Sequence, residues 1–338
     1  MEKQKMNITF LFGNGLDLGF GLESGYKSFY PYFRQNASDD NIIKREIEKD
    51  QKDNYQNWSD LEVALGKFTL NVSKENIEKF IQDKIELDKL LNKYLLLQEE
   101  KFIYDDKQIK NMINRVLSHM RSGNNVEERT LIWDTLNKYV SENYFYQAIT
   151  FNYTDCVDRI WMSISDESIG SHRFGASMMS ERFKDVLHIH GTLRDHEMLI
   201  GVNDETQIAN TELLDDEKFQ WALIKPYLNK TIGQRKIEKA QKIIDGSGII
   251  CMYGLSIGIT DNIWWEYIGE WLKQKEEHLL MIYNHEPMYS AEHPITKLMH
   301  TNQVRDEFLN NTKLDEDDKK AVKSRIIVYD NKNVFLMK

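Results

Sequence analysis

The sequence predicts an α/β fold in which helices cover both faces of a doubly wound, mostly parallel sheet. Short apolar runs typical of buried strands alternate along the chain with amphipathic segments typical of helices. The 338 residues include 41% hydrophobic and 11% aromatic side chains, enough to bury a sizeable core. We predict a single domain over residues 1–338, with a large helical insertion at about 40–145.

The predicted elements follow in chain order. The first strand, residues 7–12, is an apolar run that ends in a glycine-rich turn. Between about 40 and 145, apolar residues recur three and four positions apart among Lys, Glu and Asp, which predicts amphipathic helices. Further strands are predicted at 146–151, 185–190, 248–254, 279–283 and 325–329, with helices at 156–163 and 261–275.

Composition and charge exclude several classes of protein. With 44 Lys and Arg against 54 Asp and Glu, the net charge of -10 argues against broad nucleic-acid binding. No apolar run approaches the roughly 18 residues of a membrane span, and no signal-peptide core precedes the first glycine turn. Two cysteines provide neither a disulfide framework nor a four-thiolate zinc site. We therefore expect a cytoplasmic protein without a membrane partner.

The glycine-rich turn after the first strand is the first candidate binding site. Gly13 and Gly15 would let the backbone approach a phosphate, while the helix that follows supplies N–H donors. The same turn carries Asn14 and Asp17. A tight strand-to-helix turn without a ligand is the alternative interpretation.

Two further strand ends carry polar residues at the edge where ligands bind in open α/β sheets. Asn152 follows the strand at 146–151, although an asparagine there is also a common turn or cap residue. Asp155 is the predicted N-cap of the next helix and a possible pocket residue. His190 precedes a glycine at the end of the strand at 185–190. We expect these strand ends to share one site.

A histidine pair raises a metal site as a weaker alternative. His188 and His190 lie two apart on a predicted strand and so point to one face. A metal needs a third ligand, for which His172 and His196 are candidates only by proximity in sequence. A structural role for His188 is favoured, and we expect no metal.

Five segments of the chain, taken in order, resemble the abortive-infection AbiH family of bacterial antiphage proteins. They are GNGLDLGFGLESGYKSF, NWSDLE, ITFNYTD, HIHG and YGLSIGITD. The resemblance runs from about residue 7 to 330. More distantly, the chain is similar to the sirtuin-like domains of NAD-consuming phage-defence effectors. This resemblance implies a Rossmann-like, sirtuin-like core and NAD as the substrate.

The resemblance also implies roles for individual residues. Asn152 corresponds to the asparagine that orders the nicotinamide ribose and a water, and His190 to the catalytic histidine. Gly13 and Gly15 correspond to the glycines of the sirtuin turn, which accommodate the phosphates of NAD. Gly254 and Ser256 correspond to the G-x-S motif, which contacts the cofactor.

Other positions depart from the sirtuin pattern or extend it. Asn14 and Asp17 replace small residues of the sirtuin turn, and Asp17 could bind a ribose hydroxyl. Ser59 and Glu62 have the spacing of a helix capping box, but Glu62 could instead enter the pocket with Trp58 beside it. The absence of a zinc-ribbon cysteine set argues against protein deacylation and favours simple cleavage of NAD.

The leading hypothesis is an antiphage effector that hydrolyses NAD to nicotinamide and ADP-ribose, with a phage-derived activator and a homo-oligomer as further partners. A catalytically silent nucleotide-binding sensor or interaction protein is the first alternative. A hydrolase of another nucleotide or of nucleic acid, metal-assisted through His188 and His190, is the second.

Overall fold

The computed structural model describes residues 5–53, 61–164, 169–194, 198–231, 235–258, 261–284, 294–330 and 332–337. At its centre these residues form a seven-stranded sheet. The strands are β1 (Met6–Phe12), β2 (Tyr144–Thr150), β3 (Gly170–Phe174), β4 (Ser177–His188), β5 (Ile249–Tyr253), β6 (Leu279–Tyr283) and β7 (Ile326–Tyr329).

The strands lie in the order β3-β4-β2-β1-β5-β6-β7. Every neighbouring pair is parallel except β3 and β4, which form an antiparallel hairpin at one edge. β5, β6 and β7 are buried along their whole length, as expected for parallel strands with helices on both faces. The predicted α/β class with a mostly parallel sheet is confirmed.

The helices fall largely between the strands in sequence. They are α1 (Gly15–Gly19), α2 (Tyr26–Asn36), α3 (Ile42–Asp53), α4 (Leu61–Phe68), α5 (Ile77–Glu99), α6 (Asp106–Met120), α7 (Val126–Asn137), α8 (Cys156–Met162), α9 (Glu217–Leu223), α10 (Lys225–Thr231), α11 (Lys236–Asp245), α12 (Asn262–Gln274), α13 (Pro294–Asn310) and α14 (Glu316–Lys323). None of the described helices is long and apolar enough to cross a membrane.

Two apolar clusters join the sheet to its covering helices. Alternate residues of each strand point to opposite faces, so Phe10 packs on one face with α6, α7 and α8, while Leu11 packs on the other with α11, α12 and α13. Both cysteines are free and buried, Cys156 on α8 and Cys251 on β5. The result is a three-layer arrangement with the sheet in the middle.

The predicted helical insertion at about 40–145 divides into two parts. Helices α6 and α7 belong to the layer that covers the sheet. Helices α3, α4 and α5 instead pack with α2, which precedes the predicted insertion, and with α9 and residues 198–213. Together they form a third apolar cluster, which includes Phe33, Leu87 and Phe219. This third cluster places helices beside the carboxyl ends of the strands.

The strand predicted at 185–190 differs from the observed β4. β4 begins at Ser177, pairs with β3 in a hairpin that was not predicted, and ends at His188. Most side chains of this hairpin are exposed or half-buried, so an edge position produces little of the apolar pattern that marks a buried strand.

Candidate functional site

A cavity of about 730 Å³ lies at the carboxyl ends of the parallel strands. The segments that follow β1, β2, β4 and β5 form its floor, and α4, α5 and α13 contribute walls. Nine of the ten residues that the sequence nominated line it, namely Gly13, Asn14, Gly15, Asp17, Glu62, Asn152, His190, Gly254 and Ser256. Asp155 is not among the residues of its wall.

Asn152 is held from several sides. Its amide nitrogen Nδ2 donates to Asp17 Oδ1 at 2.9 Å and to the Gly13 carbonyl at 3.1 Å. Its backbone N–H donates to the Thr150 hydroxyl, and its carbonyl lies 3.1 Å from Nδ1 of His188. Because both amide hydrogens are committed to the protein, Oδ1 is the atom of this side chain that can accept a hydrogen bond from a ligand or a water.

Asp17 holds the side chain of Asn152 in place through a hydrogen bond. Its side chain is 1% exposed, and its two oxygens accept hydrogen bonds from Asn152 Nδ2 and, at 2.7 Å, from the Thr154 hydroxyl. Burial raises the pKa of Asp17 to about 7, against the lowering effect of these two hydrogen bonds. The structure therefore gives Asp17 a positioning role, and its predicted contact with a ribose hydroxyl stays a prediction.

His190 lies in the aromatic part of the cavity. Its imidazole packs against the rings of Phe151 and Tyr153, with centroid distances of 5.6 and 6.4 Å. Its Nε2 lies 3.5 Å from Oδ1 of Asp261, at the start of α12. A carboxylate beside an imidazole nitrogen fixes the orientation of the ring.

Lys225 connects Asp261 to Glu62. Its ammonium nitrogen lies 2.9 Å from Oε2 of Glu62 and 3.8 Å from Oδ1 of Asp261. Burial raises the pKa of Glu62, although Lys225 opposes the shift. Burial acts to raise the pKa of Asp261 too, but Lys225 and His190 hold it below its ordinary value. The pKa of Glu62 is thus raised and that of Asp261 lowered, although both carboxyl groups line the same cavity. Such opposite shifts are typical of sites of acid–base chemistry.

The glycines bring two loops into close contact. A Cβ on Gly13 would lie 2.6 Å from the Gly254 carbonyl oxygen, and one on Gly15 would lie 2.5 Å from Gly254 Cα. The N–H groups of Gly13 and Gly15 donate to the carbonyls of Tyr253 and Gly254, at 3.0 and 2.8 Å. These contacts agree with the alternative interpretation, a tight turn without a ligand. Both amides are already hydrogen-bonded to protein carbonyls, and the helix that follows, α1, has only five residues. Phosphate binding at this turn stays a prediction.

Asn14 and Ser256 are the remaining polar groups of this part of the wall. The side-chain oxygen of Asn14 accepts a hydrogen bond from the Ser24 hydroxyl. Ser256 is exposed at the mouth. Both can exchange hydrogen bonds with a bound molecule.

Asp155 belongs to an ion-pair cluster next to the cavity. It occupies the predicted N-cap position of α8, but its side chain makes no capping hydrogen bond. Instead it pairs with Arg159 at 2.8 Å and Arg194 at 3.0 Å, and its N–H donates to buried Glu99. The predicted cap hydrogen bond is therefore wrong, because nearby cations attract the carboxylate.

His188 and His190 do not form a pair. Because β4 ends at His188, strand alternation does not extend to His190. His188 Nε2 lies 2.7 Å from Asp158 on α8, whereas His190 faces Asp261. His172 is engaged elsewhere, with Nε2 3.1 Å from the Val140 carbonyl. The described residues contain no group of three or more His, Cys, Asp or Glu side chains arranged to hold a metal.

Two residues of the site, Lys225 and Asp261, were not predicted from the sequence, and three predicted residues lie outside the described part of the chain. Lys225 carries no local motif, because only the packing of α10 brings it to Glu62. Asp261 ends the segment YGLSIGITD and could have been found from that position. Trp58, Ser59 and His196, predicted as pocket, cap and metal-ligand candidates, lie outside the described part of the chain.

Comparison with known proteins identifies the family of the chain. No curated protein matches the chain. The sequence profile of the family described as bacteriophage abortive infection AbiH matches residues 9–283. Since that match covers most of the sequence, the chain belongs to the AbiH family of bacteriophage abortive infection.

Proposed function

We propose that this abortive-infection protein is an effector that binds NAD in the cavity and hydrolyses its nicotinamide–ribose bond. The observation that carries the proposal is the cavity at the strand ends, which both Asn152 and His190 line. Its volume of about 730 Å³ lies within the range of small-molecule sites.

The topology of the sheet supports a dinucleotide ligand. Numbered among themselves in chain order, the six parallel strands run 3-2-1-4-5-6 across the sheet, which is the order of Rossmann-like dinucleotide-binding folds. In such sheets the ligand binds where the strand order reverses. Here that point lies between β1 and β5, whose carboxyl ends lie at the cavity.

The proposed reaction needs a base, an oriented ribose and stabilisation of positive charge. The bond between ribose C1′ and the pyridinium nitrogen breaks, and its electron pair leaves with nicotinamide, which departs neutral. Water forms the new C1′–O bond and gives up one proton. In this scheme His190 accepts that proton, oriented by Asp261, while Asn152 Oδ1 accepts a hydrogen bond from a ribose hydroxyl or the water. The carboxylates of the wall stabilise the oxocarbenium character of C1′.

Binding without turnover is the second candidate, and the bonded amides of Gly13 and Gly15 favour it. A turn whose N–H groups are occupied has fewer donors with which to hold a pyrophosphate in a reactive pose. In that case the chain would be a nucleotide sensor of phage defence. The metal-assisted alternative loses its motivation, because His188 and His190 have separate partners.

Product analysis tests the proposal. The purified chain is incubated with NAD, with and without lysate of phage-infected cells, and the nucleotides are separated by chromatography. We expect nicotinamide and ADP-ribose in equal amounts, and their loss in Asn152→Ala and His190→Ala. Asn137→Ala, at the exposed end of α7, is the matched control. NAD that binds but stays intact would favour the sensor.

A further inference from the structure

The wall of the cavity is acidic. Its described residues include four carboxyl side chains, those of Asp17, Glu62, Asp261 and Glu307, and no lysine or arginine. Lys225 lies against Glu62 and Asp261 and compensates their charge. Glu307 lies apart from this cluster, on α13, where it is exposed and forms no ion pair with the described residues.

The end of the cavity farthest from Asn152 along the sheet is formed by Asn284 and by α13, the helix that carries Glu307. Asn152 follows β2, whereas Asn284 follows β6 and contacts His300 of α13. The order β2-β1-β5-β6 separates these strands by three strand spacings, or about 14 Å. A dinucleotide whose nicotinamide ribose contacts Asn152 therefore extends its adenosine ribose across β1 and β5 toward Asn284 and Glu307.

The chemistry of this far end suits a ribose with free hydroxyl groups. Its polar side chains are those of Asn284, His300, Gln303 and Glu307. Asn284 Nδ2 and His300 Nε2 are 2.7 Å apart, so these two groups already contact each other. Glu307 offers a carboxylate that accepts hydrogen bonds from hydroxyls and repels a phosphate group.

We propose that Glu307 makes the cavity selective for a dinucleotide with a free 2′-hydroxyl over one that carries a 2′-phosphate. The inference rests on the proposed function, because it assumes that a dinucleotide is the ligand. A 2′-phosphate carries about two negative charges at neutral pH, and near Glu307 it would meet a like charge. We expect NAD to bind roughly tenfold more tightly than NADP, given the screening at an exposed position.

Calorimetry with NAD and NADP tests the selectivity in wild type, Glu307→Gln and Glu307→Lys. We expect Glu307→Gln to reduce the preference for NAD and Glu307→Lys to reverse it, mainly through tighter binding of NADP. Asp306→Asn removes the same charge one residue earlier, from a side chain that pairs with Lys323 outside the cavity, and should leave the preference unchanged.

The outcomes separate this inference from the proposal on which it rests. Equal affinity for both dinucleotides in wild type, or an equal change for both in Glu307→Gln, would overturn the role of Glu307 while leaving NAD as the ligand. Wild type that binds neither dinucleotide overturns the proposed function and this inference together.

Discussion

The buried carboxyl of Asp17 couples the stability of the fold to pH, and Asp17→Asn isolates that coupling. Burial raises the pKa of this group from 3.8 to about 7 in the folded chain. The folded state therefore holds the proton more tightly than the unfolded state does. The stabilising contribution of that proton is complete below about pH 4 and is lost as the pH rises through about 7.

The size of the pKa shift of Asp17 sets the size of its effect on the free energy of unfolding. A difference of about 3 pKa units corresponds to about 4 kcal/mol when it is fully expressed. When the pH falls from about 8 to about 5, proton linkage at Asp17 adds about 2.5 kcal/mol of this to the stability of the fold. In Asp17→Asn the new amide would still accept from Asn152 through its oxygen and could donate to the Thr154 hydroxyl, so the variant keeps both contacts and loses only the titration.

Denaturant unfolding at a series of pH values, followed by the fluorescence of the 7 tryptophans, measures the effect. We expect the wild type to gain about 2.5 kcal/mol relative to Asp17→Asn from about pH 8 to about pH 5. Asp88, whose burial raises its pKa to about 6, titrates in both proteins and cancels in the difference. Asp134→Asn, at an exposed position of α7, should run parallel to wild type. Parallel curves for Asp17→Asn as well would refute the reasoning.

Two further substitutions test the packing of the cavity by the same unfolding measurement. Gly254→Ala adds a Cβ 2.6 Å from the Leu16 nitrogen at a φ of +69° and should cost about 3 kcal/mol. Gly175→Ala, at a φ of +58° with no atom within 4 Å, should cost only about 1 kcal/mol; equal losses would contradict the loop contact. Lys225→Met leaves Glu62 buried beside Asp261 without its cation and should cost about 3 kcal/mol or more. Adding Glu62→Gln should recover part of that loss, and no recovery would mean that the ion pair is not the cause.

The central strands could be predicted because they are buried on both faces. The apolar runs of β1, β2, β5, β6 and β7 stand out from the sequence around them, and glycine or polar residues end most of them. The hairpin of β3 and β4 lies at the edge, where most of its side chains are exposed or half-buried, so no comparable apolar run marks it. The helices α9 and α10 were missed as well, because seven residues make only two turns and are too few to establish a helical period.

The site could be predicted only where its residues follow strands. Asn152 and His190 lie two residues after the ends of β2 and β4, and Gly254 directly follows β5. The geometry of a parallel sheet brings such positions together. Lys225 was out of reach, because its partner Glu62 lies 163 residues away along the chain. The role of Gly13 and Gly15 depends on the tertiary structure, because the space that a side chain would need there is filled by Gly254, which lies far along the chain.

The most direct test of the central claim is the rate of nicotinamide release from NAD, compared between wild type and His190→Ala under the same activating conditions. The account predicts nicotinamide and ADP-ribose in equal amounts from wild type and a loss of at least roughly a hundredfold in the variant, the usual contribution of a general base. An unchanged rate in His190→Ala, or no release by wild type with phage components present, would contradict it.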